Sequence, residues 1–410
     1  MKKLTLSLAS LIIALSISAQ NNGCMDANAT NYNENAEQND GSCVYEPMVF
    51  DPTIIVDVLP SLVEETSGLI FYQEGLWTHN DSGGQAAIYK LDPKTGTVIQ
   101  TISIANGNNI DIEDIGQDDE YIYVGDFGNN HGTRDDLTIY KLKKSDIPAT
   151  GDIEVLAEII EFSYNDQESF ARKNRNNDFD CESITCFGDH LYIFSKNWVN
   201  KQTKCYKLPK TPGKYQLDIY DTFNVRGLIT GADYNAEKNA LVLLGYENFV
   251  PFMWVIWDFQ SDRFFSGNKR RVDFAYISGA QTEGICFTDK ENLTISCEDS
   301  YYPPRLFHMK IEQVISATTS TEKYQPFKID LFPNPADQIV QVVIKGLKKP
   351  KFDLEIYNLR WQKVSQYSFI EDNFNNSVNI QIPTSDLEKG IFFLRIKEGK
   401  NIGFQKFVIK

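Results

Sequence analysis

A unit of short strands and turns recurs five times between about residues 50 and 315, and this recurrence restricts the fold more than any other feature of the chain. Each copy opens with a small or acidic residue and an apolar pair, turns, and continues as an apolar strand that ends in polar residues. The copies begin Glu65-Thr66-Ser67-Gly68-Leu69-Ile70, Ile112-Glu113-Asp114-Ile115, Cys181-Glu182-Ser183-Ile184, Ile229-Thr230-Gly231-Ala232-Asp233 and Thr282-Glu283-Gly284-Ile285. Third strands follow in most copies, such as Ala87-Ile88-Tyr89-Lys90-Leu91, and the first three copies add a fourth at 98–104, 158–163 and 217–223. Apolar and aromatic runs bounded by Gly, Asn and Asp mark an all-β region, and no long amphipathic helix interrupts them. Four strands per unit is the blade of a β-propeller.

With Ser67, Glu113, Glu182, Thr230 and Glu283 taken as equivalent, the copies lie 46, 69, 48 and 53 residues apart, a propeller-type period. The long second interval predicts an insertion near Asn165 to Asn177. The fifth copy lacks a fourth strand, and the segment from Thr53 to Leu59 is placed to supply it and close the ring. Five blades are expected, with six as the alternative.

The ends of the chain read differently. Lys2, Lys3, an apolar run from Leu4 to Ile17 and then Ser18-Ala19-Gln20 form a cleavable secretory signal over 1–20, because the apolar run is too short and too interrupted by Ser to anchor in a membrane. No later stretch is long and apolar enough to span a bilayer. Residues 21–49 are rich in Asn and Asp and hold Cys24 and Cys43, which are expected to pair as a disulfide in an exported chain. This segment resembles a short Cys-framed repeat of secreted marine bacterial proteins, and it reads as a stapled spacer. The other five cysteines lie in or beside strands, where a buried thiol and a disulfide are equally compatible with the pattern.

After a linker at 316–326, residues 327–410 form another alternating-strand unit, expected to be a small β-sandwich. Its phrases Phe332-Pro333-Asn334-Pro335-Ala336, Tyr357-Asn358 and Leu387-Glu388-Lys389-Gly390-Ile391-Phe392-Phe393-Leu394-Arg395 closely resemble the C-terminal sorting domain of the type IX secretion system. The resemblance implies passage through that machinery across the outer membrane of a Gram-negative bacterium of the Bacteroidetes. Removal of the tail would follow, with release or attachment to surface lipopolysaccharide.

In a propeller the innermost strands line a central channel, so equivalent residues of the five copies meet around one axis. Glu113, Glu182 and Glu283 would then converge with the hydroxyls of Ser67 and Thr230. Converging carboxylates repel unless neutralised, and an oxygen-only ligand set of this kind favours calcium. The opposing reading is that such a Glu hydrogen-bonds backbone amides of the next blade. The repeat starts resemble those of the calcium-dependent apyrases, five-bladed nucleotidases with a ring of Ser and Glu on a central calcium. That resemblance, confined to the repeat starts, implies shared architecture and metal more than a shared substrate. A second resemblance, to propellers described as esterase-like or phytase-like, does not establish chemistry.

A second polar group lies on the loops after the second strands, expected at one mouth of the channel. His79, Arg134, Lys196 and Arg305 are candidate ligand-binding residues there, and Asp81 and Asp126 are candidate general bases. Turn chemistry accounts for Asn129 and Asn130. The formal net charge of -16 argues against nucleic acid as a partner. Two function classes remain: a calcium-dependent hydrolase of a phosphate- or ester-containing substrate, and a surface module that binds glycan or protein without turnover through Trp77, Trp198, Tyr301 and Tyr302.

Overall fold

The computed structural model describes residues 21–316, 328–358, 363–370, 377–398 and 401–410. The expected secretory signal and most of the expected linker lie outside the described residues. Among the described residues, five sheets of four or five strands follow one another and are built alike. Sheet I holds Thr66–Tyr72, Gly75–Asn80, Ala87–Leu91 and Val98–Ile104. Sheet II holds Ile112–Gln117, Tyr121–Asp126, Leu137–Lys143 and Glu158–Tyr164. Sheet III holds Asp180–Phe187, His190–Lys196, Thr203–Pro209 and Ile219–Phe223. Sheet IV holds Leu228–Asn235, Ala240–Glu247, Val250–Trp257 and Asn268–Asp273. Sheet V holds Thr282–Phe287, Asn292–Cys297 and Arg305–Lys310, and its fourth strand is Thr53–Val56, from before sheet I.

Apolar residues on both faces of these strands decide how the sheets stack. A separate core fills each junction: Ile70 and Ile88 meet Ile115 and Ile122 between sheets I and II, and Ile139 meets Ile193 between II and III. Phe194 meets Leu241 between III and IV, and Val242 meets Ile295 between IV and V. The last core joins Leu306 and Val56 of sheet V to Leu76 and Tyr89 of sheet I. The first strands of the sheets pack in the same order, the fifth returning to the first, so they surround one axis. A radial stack of this kind leaves no long unprotected sheet edge.

The long second interval has two contributions. Ile153–Val155 crosses back to pair in parallel with Val98–Ile104 at the rim of sheet I, and residues 165–179 form a loop outside any strand. The Cys24–Cys43 disulfide is present and the other five cysteines are free. The N-terminal segment is more than a spacer. Met48–Val49 pairs with Asn268–Asp273, and Asn39 Nδ2 donates to Asp258 and Asn268 at 2.7 and 2.9 Å. The C-terminal unit is a sandwich of a three-stranded and a four-stranded sheet around Val342, Leu354, Ile380 and Leu394.

Candidate functional site

Each innermost strand carries an irregularity at the residue the sequence marks as its anchor. In sheet II, Asp126 pairs with Ile112 and Gly125 with Asp114, so Glu113 is skipped. Glu182 is skipped between Cys181 and Ser183, and Thr230 between Ile229 and Gly231. In sheets I and V the unpaired residues are Ser67-Gly68 and Glu283-Gly284. A β-bulge leaves its extra residue out of the ladder and re-aims the side chain. Repeated in all five first strands, it presents the anchors as one set.

The set divides by chemistry. The hydroxyls stitch neighbouring sheets: Ser67 Oγ donates to the Glu113 carbonyl at 2.6 Å, and Thr230 Oγ1 to the Thr282 carbonyl at 2.8 Å. The backbone-binding role considered for the glutamates falls instead to two aspartates. Asp114 accepts the Ile184 amide at 2.9 Å, and Asp233 the Phe287 amide at 2.8 Å, each across a sheet junction.

The carboxylates gather in two adjoining groups that share Glu113. Asp81, Asp111 and Glu113 offer oxygens within 4.8 Å of one another, and so do Glu113, Asp180 and Glu182. Gly128 makes the approach possible: a Cβ there would lie 2.4 Å from Glu113 Oε1 and 2.5 Å from the Asp111 carboxylate. Burial, then Glu182, Asp81 and Asp111, push the Glu113 carboxyl well above its usual range. Burial and like charge raise Asp81 and Asp111 to about 6. Among the described residues, buried Asp81 Oδ1 has no hydrogen-bond partner. In the deeper group, Asp180 accepts the Asn129 amide at 2.6 Å and Trp198 Nε1 at 2.7 Å, and Glu182 is ion-paired with Lys196.

Glu283 lies outside both groups. Burial raises it to about 7, while Lys196, Gln281 and Thr230 act to lower it. Asp111 and Asp180 were not anticipated, although each stands two residues before an anchor glutamate, in Asp111-Ile112-Glu113 and Asp180-Cys181-Glu182. That repeated Asp-x-Glu was the available signal.

Several mouth assignments are corrected. His79 is buried and fills the bulge of sheet I: its Nε2 accepts the Gly68 amide at 3.1 Å, its Nδ1 lies 3.1 Å from the Asn80 carbonyl, and burial lowers its pKa to about 4. It is a neutral structural imidazole. Asp126 is buried and engaged by Arg134 at 3.0 Å and by the Asp111 amide at 2.8 Å, so it is not a free base. Arg134 is held in turn by Asp126, Asp136 and two carbonyls. Lys196 is buried in the channel, not displayed at its mouth. Arg305 lies over Tyr302 and donates to the Pro303 carbonyl. Trp77 is fully buried in the junction of sheets I and II, and the Trp198 ring has Arg175, Lys196 and Lys201 within 5.3 to 5.6 Å of its centroid. Neither indole offers an open platform. Asn129 is spent on its own turn and on Arg134, as turn chemistry predicts.

Asp111 of the upper carboxylate group also lines a cavity of about 460 Å³, together with Ser82, His131, Arg134, Asn174 and Arg175. Residues 165–179 form one wall, because the Lys173 and Arg175 amides donate to the His131 and Asn130 carbonyls at 2.8 Å. Arg175 has no carboxylate partner among the described residues. An acidic floor thus meets a basic wall.

Residues 330–410 match the family model described as a secretion system C-terminal sorting domain. The tail is a sorting domain. A chain with this domain is exported, to the cell surface or beyond, and no described helix is long and apolar enough to cross a membrane. Ahead of the sorting domain, no curated protein informs the repeats, since none matches the sequence. Solved structures similar to the chain include an exo-beta-1,3-galactanase from Phanerochaete chrysosporium, at 9% identity over 88% of this chain and 100% of that one, with a TM-score of 0.40. A putative 6-phosphogluconolactonase from Bacteroides uniformis is 10% identical over 78% and 89%, with a TM-score of 0.32. Likenesses this distant carry no functional argument.

Proposed function

We propose that the chain is an exported five-bladed propeller that binds calcium and hydrolyses a phosphate- or ester-containing substrate at the mouth of its channel. Residues 50–315 are the working unit, and the sorting domain is an address that is later removed, leaving the propeller free or attached to surface lipopolysaccharide. The observation that carries this reading is the upper carboxylate group: Asp81, Asp111 and Glu113 place oxygens within 4.8 Å of one another, buried Asp81 Oδ1 has no hydrogen-bond partner, and Asp111 also lines an open cavity.

These residues fit a hard divalent cation. Such an ion takes several oxygen ligands, and the three carboxylates leave a net negative seat that it would neutralise. The seat replaces the ring of five anchors: Ser67 and Thr230 serve the backbone, and Glu182 serves Lys196. Calcium, when bound, supplies positive charge beside the cavity and polarises an oxyanion placed there. Arg175 and the His131–Arg172 pair, 2.8 Å between ring nitrogen and guanidinium, form the basic wall that would orient that oxyanion. With Asp126 committed elsewhere, Asp81 is the remaining candidate base, because its carboxylate stands at the seat beside Asp111 and its Oδ1 has no hydrogen-bond partner.

Thermal unfolding of the purified chain with and without calcium tests the metal. A panel of nucleotides, phosphomonoesters, phosphodiesters and carboxyl esters tests turnover. A calcium-dependent shift with no turnover on the panel supports a binding module instead, and no shift removes calcium.

A further inference from the structure

The deeper carboxylate group already holds a cation that belongs to the chain. Lys196 ends the strand His190–Lys196 and pairs in register with Asp180. Its Nζ lies 2.9 Å from Glu182 Oε2, and its side chain is 9% exposed. The ammonium also lies 5.3 Å from the Trp198 ring centre and 5.5 Å from that of Tyr246. Two aromatic faces and a carboxylate fix this charge away from water, a combination that offsets the loss of hydration.

One feature of the group is left over. Glu182 Oε1 is buried and has no hydrogen-bond partner, and an unpaired buried carboxylate oxygen is costly. Glu182 also offers a carboxylate oxygen within 4.8 Å of oxygens of Glu113 and Asp180. The lysine has three donors on a flexible stem, whereas a divalent ion gathers several oxygens at once.

We propose that Lys196 is a tethered counter-cation that occupies the deeper of two adjacent cation seats, so that the chain accepts one metal ion where its carboxylates would accept two. Removing the ammonium opens Glu113, Asp180 and Glu182 as a second divalent-cation site. The stoichiometry of the unmodified chain rests on the function proposed above; the gain of a site does not.

Calcium titration of the full chain by calorimetry tests this, with circular dichroism to confirm folding. The unmodified chain is expected to take one ion, Lys196→Met two, Lys196→Arg one, and Lys196→Met with Glu182→Gln one. A folded Lys196→Met chain that gains no site overturns the proposal, as does a gained site that survives Glu182→Gln. If Lys196→Met does not fold, Glu182→Gln alone decides. Glu182 serves the lysine, so calcium affinity should change less than about threefold, and a loss of about tenfold or more, the size seen when even a group supporting a metal ligand is removed, overturns the proposal. If the unmodified chain takes no ion while Lys196→Met takes one that needs Glu182, the upper metal seat fails and the tethered cation stands.

Discussion

The hydroxyl of Tyr301 donates to that of Tyr357 at 2.8 Å, and the two rings meet edge-on with centroids 5.5 Å apart. The contact joins the propeller to the sorting domain. Tyr357 donates in turn to Glu355 at 2.9 Å, and Arg395 reaches both residues. In a strand, alternate residues face opposite ways. Leu354 and Ile356 point into the sorting domain's own core, so Glu355 and Tyr357 point out of it, yet Tyr357 is only 1% exposed. Tyr301 belongs to the loop after Asn292–Cys297 that begins with Glu298, whose carboxyl is pushed up to about 9 by burial and by Glu283 and Asp81. The sorting domain therefore rests on a loop that borders the acidic channel. Tyr357→Ala in the full chain should speed amide hydrogen exchange in residues 298–304 while leaving the sheet cores protected. Unchanged exchange there would mean that the contact does not hold the loop.

The pH dependence of stability follows from carboxyls held above their unfolded values. Asp81 and Asp111 titrate at about 6, Glu283 at about 7 and Glu298 at about 9 in the folded chain. The folded state then binds more protons than the unfolded state between the two sets of values. Stability contributed by such groups is complete below about pH 4 and is lost as pH rises through 6 to 9. The metal-free chain should show a melting temperature that falls across this window, and calcium should restore more of it at pH 8 than at pH 5. Melting curves with chelator and with calcium at each pH measure both. A flat profile without metal would contradict the buried acidic channel.

Ser67→Ala separates stitching from ligation. Loss of the hydroxyl leaves the buried Glu113 carbonyl without its 2.6 Å donor, at a cost of about 1 to 3 kcal/mol. The melting temperature should drop while calcium affinity stays the same. A tenfold loss of affinity would instead make Ser67 a ligand.

Asp111→Asn removes one carboxylate from the proposed seat, and Gly128→Ala pushes a methyl group against two of them. Both should weaken calcium binding by at least about tenfold. Asp111→Asn should also raise the melting temperature of the metal-free chain slightly, because it relieves repulsion. Calorimetric titration beside a metal-free melt reads both effects, and unchanged affinity in both variants would place the ion elsewhere.

The strands, the insertion and the anchor positions were legible because short apolar runs and turn residues repeat at 46 to 53 residues in three intervals, and the remaining interval, of 69, stands out against them. What each anchor does was not. A skipped residue cannot be seen in Ile112-Glu113-Asp114-Ile115, since an alternating pattern does not say which residue leaves the ladder, and Glu113 and Asp114 exchange channel and backbone roles accordingly. His79 reads as a mouth residue from its place at a strand end, but the bulge beside it frees the Gly68 amide, which an imidazole nitrogen satisfies. Lys196 follows the same logic. Its position at the end of a second strand was readable, but the direction of its side chain depends on the Asp-x-Glu pair across the ladder.

The fourth strand of sheet V is Thr53–Val56, paired antiparallel to Arg305–Lys310. The ring therefore has a seam, and the seam joins nearly the first residues of the domain to leave the ribosome with nearly the last. A chain threaded through a membrane from its N-terminus carries one half of that seam across long before the other. Sheets I to IV can form along the way, but the circle closes only when the final sheet arrives. Proteolytic trimming from the N-terminus also meets a fixed limit there: cuts before Met48 spare the closure, and cuts beyond Thr53 unfasten it.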